Sequence, residues 1–217
     1  MTITLCYWDL RGLGEPSRLL LRYADADWKD ERRALTPDSF ADWKAVKFTL
    51  GFDFPNLPYM IDGDIKITQS VAIMRYLGRK FNLAASSEVE QVRLDLAEQE
   101  IMDMKTAQSR LCYNPKYEEL KADYVVNLTV KVDLMDKFIG AGPWMLGEKI
   151  TYVDFMTYEF LDGSRKQFPE NFKDASNINA FMARFEALPK MAEWFATDMY
   201  KEGHYINSPM AAWHGKE

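Results

Sequence analysis

A change of texture part-way along the chain constrains its fold more than any single motif. Residues 1–82 alternate short apolar runs with short amphipathic ones, whereas residues 91–217 carry apolar positions at helical spacing over long stretches. The Ala/Ser-containing segment 83–90 lies between them and reads as a linker. Short strand-like and helix-like pieces in alternation specify a small sheet covered by helices, and long runs of 3.6 period specify a bundle. The expected fold class is therefore α/β plus all-α: a β-α-β-α-β-β-α domain over 1–82, then an all-helical domain over 91–217.

Within the first domain, residues 3–7 form a short apolar strand bounded by charge. Arg11-Gly12-Leu13-Gly14-Glu15-Pro16 turns into a helix over 17–24, because glycine permits close approach and proline is tolerated in a first helical turn. Residues 28–34 are a highly charged strand candidate, and 40–48 a short helical or irregular piece. A rigid loop over 51–58 precedes a strand over 59–62, which Asp62-Gly63-Asp64 turns back into 66–68. Ser70 can cap the following helix, where Ile73, Leu77 and Phe81 recur on one face. In the second domain helices are expected over 92–110 and 117–139, although the Val-rich run 124–132 would also suit a strand. Thr151-Tyr-Val-Asp154 is a capping box opening a helix to about 166, and 178–188 and 190–196 supply two more, with Pro189 between.

The charge balance, 27 Lys+Arg against 33 Asp+Glu for a net −6, argues against nucleic acid as a partner. No run approaches the length of a membrane span, and the opening residues lack the pattern of a signal peptide, so a cytoplasmic protein without membrane contacts is expected. Cys6 and Cys112 are far apart, and the two histidines are His204 and His214. No ligand spacing for a zinc site exists, a Ser-His-Asp triad would need one of those histidines, and no Gly-rich phosphate loop occurs.

Four weak signals remain, each with a bland alternative. Tyr7 ends a strand beside a helix amino terminus, where ligands of α/β units bind. It is either a neutral hydrogen-bond donor to an anion or an edge tyrosine. Leu57-Pro58 before a strand is either an ordinary trans turn or a cis bond presenting the Leu57 amide and carbonyl to an extended peptide. Gln69-Ser70 is either a carboxylate site or a simple cap. Trp43 and Lys47, one helical turn apart, offer an indole N–H and an ammonium to a second carboxylate, or serve packing and solvation. Together they describe a peptide-sized cleft with an anion site at either end and a phenol over the centre.

Tyr7-Trp8-Asp9-Leu10-Arg11-Gly12-Leu13, Leu50-Gly-Phe-Asp-Phe-Pro-Asn-Leu-Pro-Tyr59, Ile61-Asp-Gly63, Ile67-Thr-Gln-Ser70, Cys112-Tyr-Asn-Pro115 and Ile150-Thr-Tyr-Val-Asp-Phe155 closely resemble, in order, the cytosolic glutathione transferases of the mu class. The resemblance covers essentially the whole chain. It implies a thioredoxin-like glutathione-binding domain followed by a helical domain that supplies the electrophile pocket and dimer interface. It implies that glutathione is the co-substrate, conjugated to hydrophobic electrophiles, with Tyr7 hydrogen-bonding its sulfur and no metal. Trp8, Leu13, Trp43, Lys47, Asn56, Leu57, Gln69 and Ser70 match glutathione-site positions, and Pro58 matches the cis-proline. Asp103 matches an acid reaching the glutathione amine of a second subunit, which implies a homodimer or a heterodimer with related subunits. Phe54 matches an aromatic that locks into the partner, and Arg75 an interface arginine. Leu10, Met102, Thr106, Ser109, Tyr113 and Ile206 would line the electrophile pocket. Against the family pattern, the segment between Arg33 and Trp43 is shorter, and Phe40 replaces an arginine near the glycine carboxylate, which shifts that contact toward Lys47. Relatives also sequester apolar ligands or catalyse glutathione-dependent isomerisation, and these are the alternative readings.

Overall fold

A computed structural model describes residues 2–201 and 205–216, so His204 lies outside the described residues. The first part runs β1 (Ile3–Trp8), α1 (Glu15–Tyr23), β2 (Trp28–Arg33), α2 (Pro37–Val46), β3 (Tyr59–Asp62), β4 (Ile65–Thr68) and α3 (Ser70–Lys80). The strands form one mixed sheet in the order β2-β1-β3-β4, with β1 parallel to β2 and antiparallel to β3. Side chains of a strand alternate between the two faces of the sheet. Ile3, Leu5 and Met60 pack with Leu19, Leu20, Ile73 and Leu77 of α1 and α3, while Cys6 and Tyr59 pack with Trp43, Phe52 and Leu57. The charge of β2 follows from its place at the sheet edge, where Asp30 pairs with Arg32 and Arg18. In the hairpin Asp62 pairs with Ile65 across Gly63-Asp64, and Gly63 takes φ 60°.

Several boundaries differ from expectation, among them three helix starts. Ser70 does not cap α3 but is its first residue; the cap position is Gln69, at φ 69°, and no side chain caps the helix. The helix α4 (Glu88–Cys112) begins inside the segment read as linker, because the Ser87 hydroxyl accepts the Glu90 N–H at 3.3 Å. The helix α2 begins earlier than residue 40, since Thr36 accepts the Ser39 N–H and Pro37 occupies the first turn.

The second part continues with α5 (Tyr117–Ile139), α6 (Tyr152–Gln167), α7 (Ser176–Glu186), α8 (Pro189–Phe195) and α9 (Asp198–Lys201). The β-branched run in α5 stays helical because Leu128, Val132, Met135 and Ile139 bury one helical face. The axis of the molecule is α6, buried continuously from Tyr152 to Ser164. It packs so closely on α3 that a Cβ at Gly78 would lie 2.7 Å from Tyr152 Cδ1. Its capping box is complete: Asp154 Oδ2 accepts the Thr151 N–H and hydroxyl at 2.6 and 2.8 Å, and Oδ1 accepts the Met145 N–H at 2.8 Å. Replacing Asp154 by Ala strands these buried donors and removes a cap, so urea denaturation should show a loss of about 2–4 kcal/mol. A loss below about 0.5 kcal/mol would contradict this account of the helix start.

Candidate active site

Tyr7 stands near the carboxyl end of β1, and the loop after it folds back over its ring. The Tyr7 oxygen accepts the Leu13 N–H at 3.3 Å, and among the described residues none accepts its hydroxyl hydrogen. That approach depends on glycine. A Cβ at Gly14 would fall 2.5 Å from Tyr7 Cδ1, and one at Gly12, where φ is +43°, would fall 2.9 Å from the Tyr7 oxygen.

Two buried arginines hold the loop. Arg18 donates to the carbonyls of Leu10 at 2.7 Å and Trp8 at 3.2 Å, and pairs with Glu15 and Asp30. Arg11 grips α6, with Nε and Nη2 on Glu159 at 2.7–3.1 Å and Nη2 on Asp162 at 2.7 Å. Burial disfavours the Asp162 carboxylate, yet Arg11 and Lys166 outweigh it and hold the group at about 2. The C-terminal tail fastens the same loop, since Arg11 N–H donates to Tyr205 O at 2.8 Å and Gly12 N–H to Ile206 O at 3.1 Å.

Burial pushes the Tyr7 pKa up, against the Leu13 amide and Arg18, so the phenol is neutral at physiological pH. With one lone pair of its oxygen committed inward, its hydrogen is available to a ligand.

A cavity of about 320 Å³ opens beside it. It brings together seven of the expected residues: Tyr7, Trp8, Leu10, Leu13, Ser109, Tyr113 and Ile206. Tyr113 repeats the Tyr7 arrangement, its oxygen accepting the Ser208 N–H at 2.8 Å. Phe40 also lines the cavity, with its ring 4.6 Å from that of Trp8. A narrower pocket shares Gly12, Leu13 and Lys105 with the first and adds Ser70 and Met102.

The other expected residues stand outside these walls. Trp43 is buried, stacked 6.1 Å from Tyr59. Lys47 follows α2, its Nζ 5.0 Å from the Phe48 ring. The Leu57–Pro58 bond is cis, and the Leu57 N–H, read as open to a peptide, donates to Asn56 Oδ1 at 2.9 Å. Gln69 is exposed at the amino end of α3. Asp103 is exposed on α4 and accepts from Gln99, and Thr106, also exposed, lies one position round the helix from the cavity-lining Lys105. Phe54 is exposed, and Arg75 pairs with Glu98.

Sequence reasoning missed Lys105, Leu35, Asn207, Ser208 and Met210 in the cavity wall. Lys105 was legible, three after Met102 and four before Ser109 on one helix face. The tail residues carry no periodicity that could place them. Among the described residues no three His, Cys, Asp or Glu side chains converge as metal ligands would.

The glutathione S-transferase N-terminal domain family matches residues 3–79, and the corresponding C-terminal domain family matches residues 102–198. Glutathione S-transferase Mu 2 of Rattus norvegicus is 43% identical over 223 residues, covering 100% of both chains. The chain belongs to the glutathione S-transferase family. A glutathione S-transferase of Tyrophagus putrescentiae is 41% identical over 213 residues, 98% of this chain and 96% of that one. Among solved structures, the glutathione S-transferase Blo t 8 superposes with a TM-score of 0.87 at 35% identity, covering 96% and 98% of the two chains. The Pi-class enzyme of Onchocerca volvulus gives 0.86 at 30% identity, covering 97% and 100%.

The glycine loop of this transferase can be tested by steric means alone. Gly14 has a helical φ of −89°, so alanine suits its backbone and the nearest clashes are with the Tyr7 side chain. Gly14→Ala should keep its far-ultraviolet circular dichroism and lose about ten-fold or more in kcat/KM as the phenol shifts. Unaltered kcat/KM would mean that the ring position is not set by this contact.

Proposed function

We propose that this glutathione S-transferase is of the mu class and conjugates the thiolate of glutathione to hydrophobic electrophiles, with Tyr7 as the catalytic residue. The observation that carries the assignment is the neutral Tyr7 hydroxyl, its oxygen satisfied by Leu13 and its hydrogen unclaimed by any described residue at the cavity wall. A free thiol has a pKa near ~8.5, and the thiolate is the reactive form. A hydrogen bond to sulfur favours the charged form, each pKa unit being worth about 1.4 kcal/mol. A phenolate would repel the sulfur, and burial works against that state.

The remaining roles follow the same reading. Gln69 and Ser70 would receive one glutathione carboxylate at the uncapped start of α3. Trp43 and Lys47 would take the glycine end, with Lys47 replacing the arginine that Phe40 displaces. Leu57 would pair with the peptide backbone, which requires Asn56 to release its amide. Leu10, Met102, Ser109, Tyr113 and Ile206 would face the electrophile.

A homodimer completes the proposal, with heterodimers of related subunits equally compatible. Asp103 and Phe54 point to solvent, and Val126, Val130 and Leu134 expose an apolar row at i, i+4 spacing on α5. The domain division would be 1–82 for glutathione and 91–217 for electrophile and partner. No described helix is long and apolar enough to cross a membrane; the proposed location is cytoplasmic.

Tyr7→Phe should bind glutathione within a few-fold of wild type yet lose roughly 10- to 100-fold in conjugation of a chloronitrobenzene near neutral pH. The deficit should shrink as pH rises past the free-thiol pKa. Equal turnover at neutral pH would reject the role. Sedimentation at micromolar protein should give twice the 25.2 kDa chain mass. Fully active monomer would reject the cross-subunit role of Asp103.

A further inference from the structure

Another cavity, of about 360 Å³, lies between the end of α1, the start of β2 and α8, and it shares no lining residue with the one beside Tyr7. Its wall contains a guanidinium held by rings rather than by acids. The Arg22 Cζ sits 3.6 Å from the Trp194 ring centre and 5.2 Å from that of Trp28. Arg22 makes no hydrogen bond or ion pair with any described residue, and its Nε is sealed from water without a partner. Glu15 and Asp30, the acids that reach it electrostatically, are both already paired with Arg18. The indole Nε1 of Trp194, a residue only 7% exposed, is likewise buried with no described acceptor. Buried donors of this kind normally find acceptors, because leaving one unpaired costs about 1–3 kcal/mol. Stacking on two indoles offsets part of the cost of burying the Arg22 charge but accepts none of its N–H groups. The cavity thus gathers two sets of unanswered donors beside flat apolar walls.

We propose that this cavity binds a small flat monoanion, an aromatic carboxylate, with Arg22 receiving the carboxylate and the two indoles the ring. A guanidinium fork matches the two oxygens of a carboxylate. The volume is that of a small-ligand pocket, and indole faces supply stacking area at little entropic cost. The charges around Arg22 set the valence of the ligand. Lys190 of α8 also lines the wall, but its Nζ is held by Asp25 Oδ1 at 2.9 Å, and Glu193 stands beside it. Of the described cations in the wall, Arg22 alone lacks an acid. One guanidinium answers one negative charge, whereas a phosphate dianion would add repulsion from Asp25 and Glu193. Burial pulls the Arg22 pKa down, against Glu15 and Asp30, and a bound carboxylate would relieve that shift. Binding here requires nothing of the transferase reading.

The probe is 2-naphthoate, with 2-naphthamide as its neutral counterpart and 2-naphthyl phosphate as the dianion, titrated into the full chain and into Arg22→Gln. Affinity is read from the indole N–H peaks of Trp28 and Trp194 in nitrogen-15 spectra, assigned with single Trp→Phe variants, so a ligand bound elsewhere does not count. Wild type should bind 2-naphthoate about ten-fold or more tightly than either counterpart, and Arg22→Gln should lose about ten-fold or more. No movement of these two peaks at millimolar 2-naphthoate, or movement of the Trp8 peak without them, would overturn the site. Equal affinity for the amide, tighter binding of the phosphate, or undiminished binding by Arg22→Gln would overturn the role of Arg22. Should Arg22→Gln fail to fold by circular dichroism, the three wild-type titrations decide alone.

Discussion

Leu13 N–H to Tyr7 oxygen is the contact on which the site depends. It is a modest, neutral hydrogen bond at 3.3 Å, yet it decides which way the phenol faces. An oxygen that accepts from its own loop presents its hydrogen outward. The loop that makes this bond is over-determined: glycine at 12 and 14 lets it touch the ring, Arg18 gathers its carbonyls, and the C-terminal tail pairs with its amides. A donor fixed in place before the ligand arrives costs no reorganisation when charge develops on sulfur.

The same loop joins the two halves of the molecule. Arg11 leaves it to meet Glu159 and Asp162 on α6, so the strand carrying the phenol and the helical part that supplies Ser109 and Tyr113 to the cavity share one buried ionic cluster. Such clusters add little net stability for their size, because desolvation offsets attraction, but they penalise any arrangement that separates the partners. Here that penalty acts on the relative position of Tyr7 and Tyr113, two phenols whose oxygens each accept a backbone N–H and which line one cavity. In the proposed reaction the thioredoxin-like half would prepare the nucleophile, and α4 with the tail would offer donors to the electrophile.

Much of the fold was legible because local signals agreed with the global one. The capping box at Thr151 and Asp154, the Asp62-Gly63-Asp64 turn and the limits of α5 all follow from short-range chemistry. Where the reading slipped, local features differed from those expected: Gln69, at φ 69° and without a side-chain cap, holds the position before α3, and Ser87 draws α4 back into the linker. The candidate site was proposed mainly through resemblance, and seven of the residues so named line one cavity. Bare residue chemistry left Tyr7 and Leu57-Pro58 undecided, because neither a hydroxyl's orientation nor an isomer is written in composition. Ser208 and Asn207 could not be found at all, since an irregular tail reaches the cavity only through tertiary contacts with Cys112, Tyr113 and the Gly12 loop.

The central claim is that a neutral phenol lowers the pKa of a sulfur it does not own. The most direct test follows the ultraviolet absorbance of the bound glutathione thiolate against pH. Wild-type protein should show a midpoint at least about one unit below the ~8.5 of a free thiol, and Tyr7→Phe should return it toward that value. A wild-type midpoint equal to that of free glutathione would contradict the account.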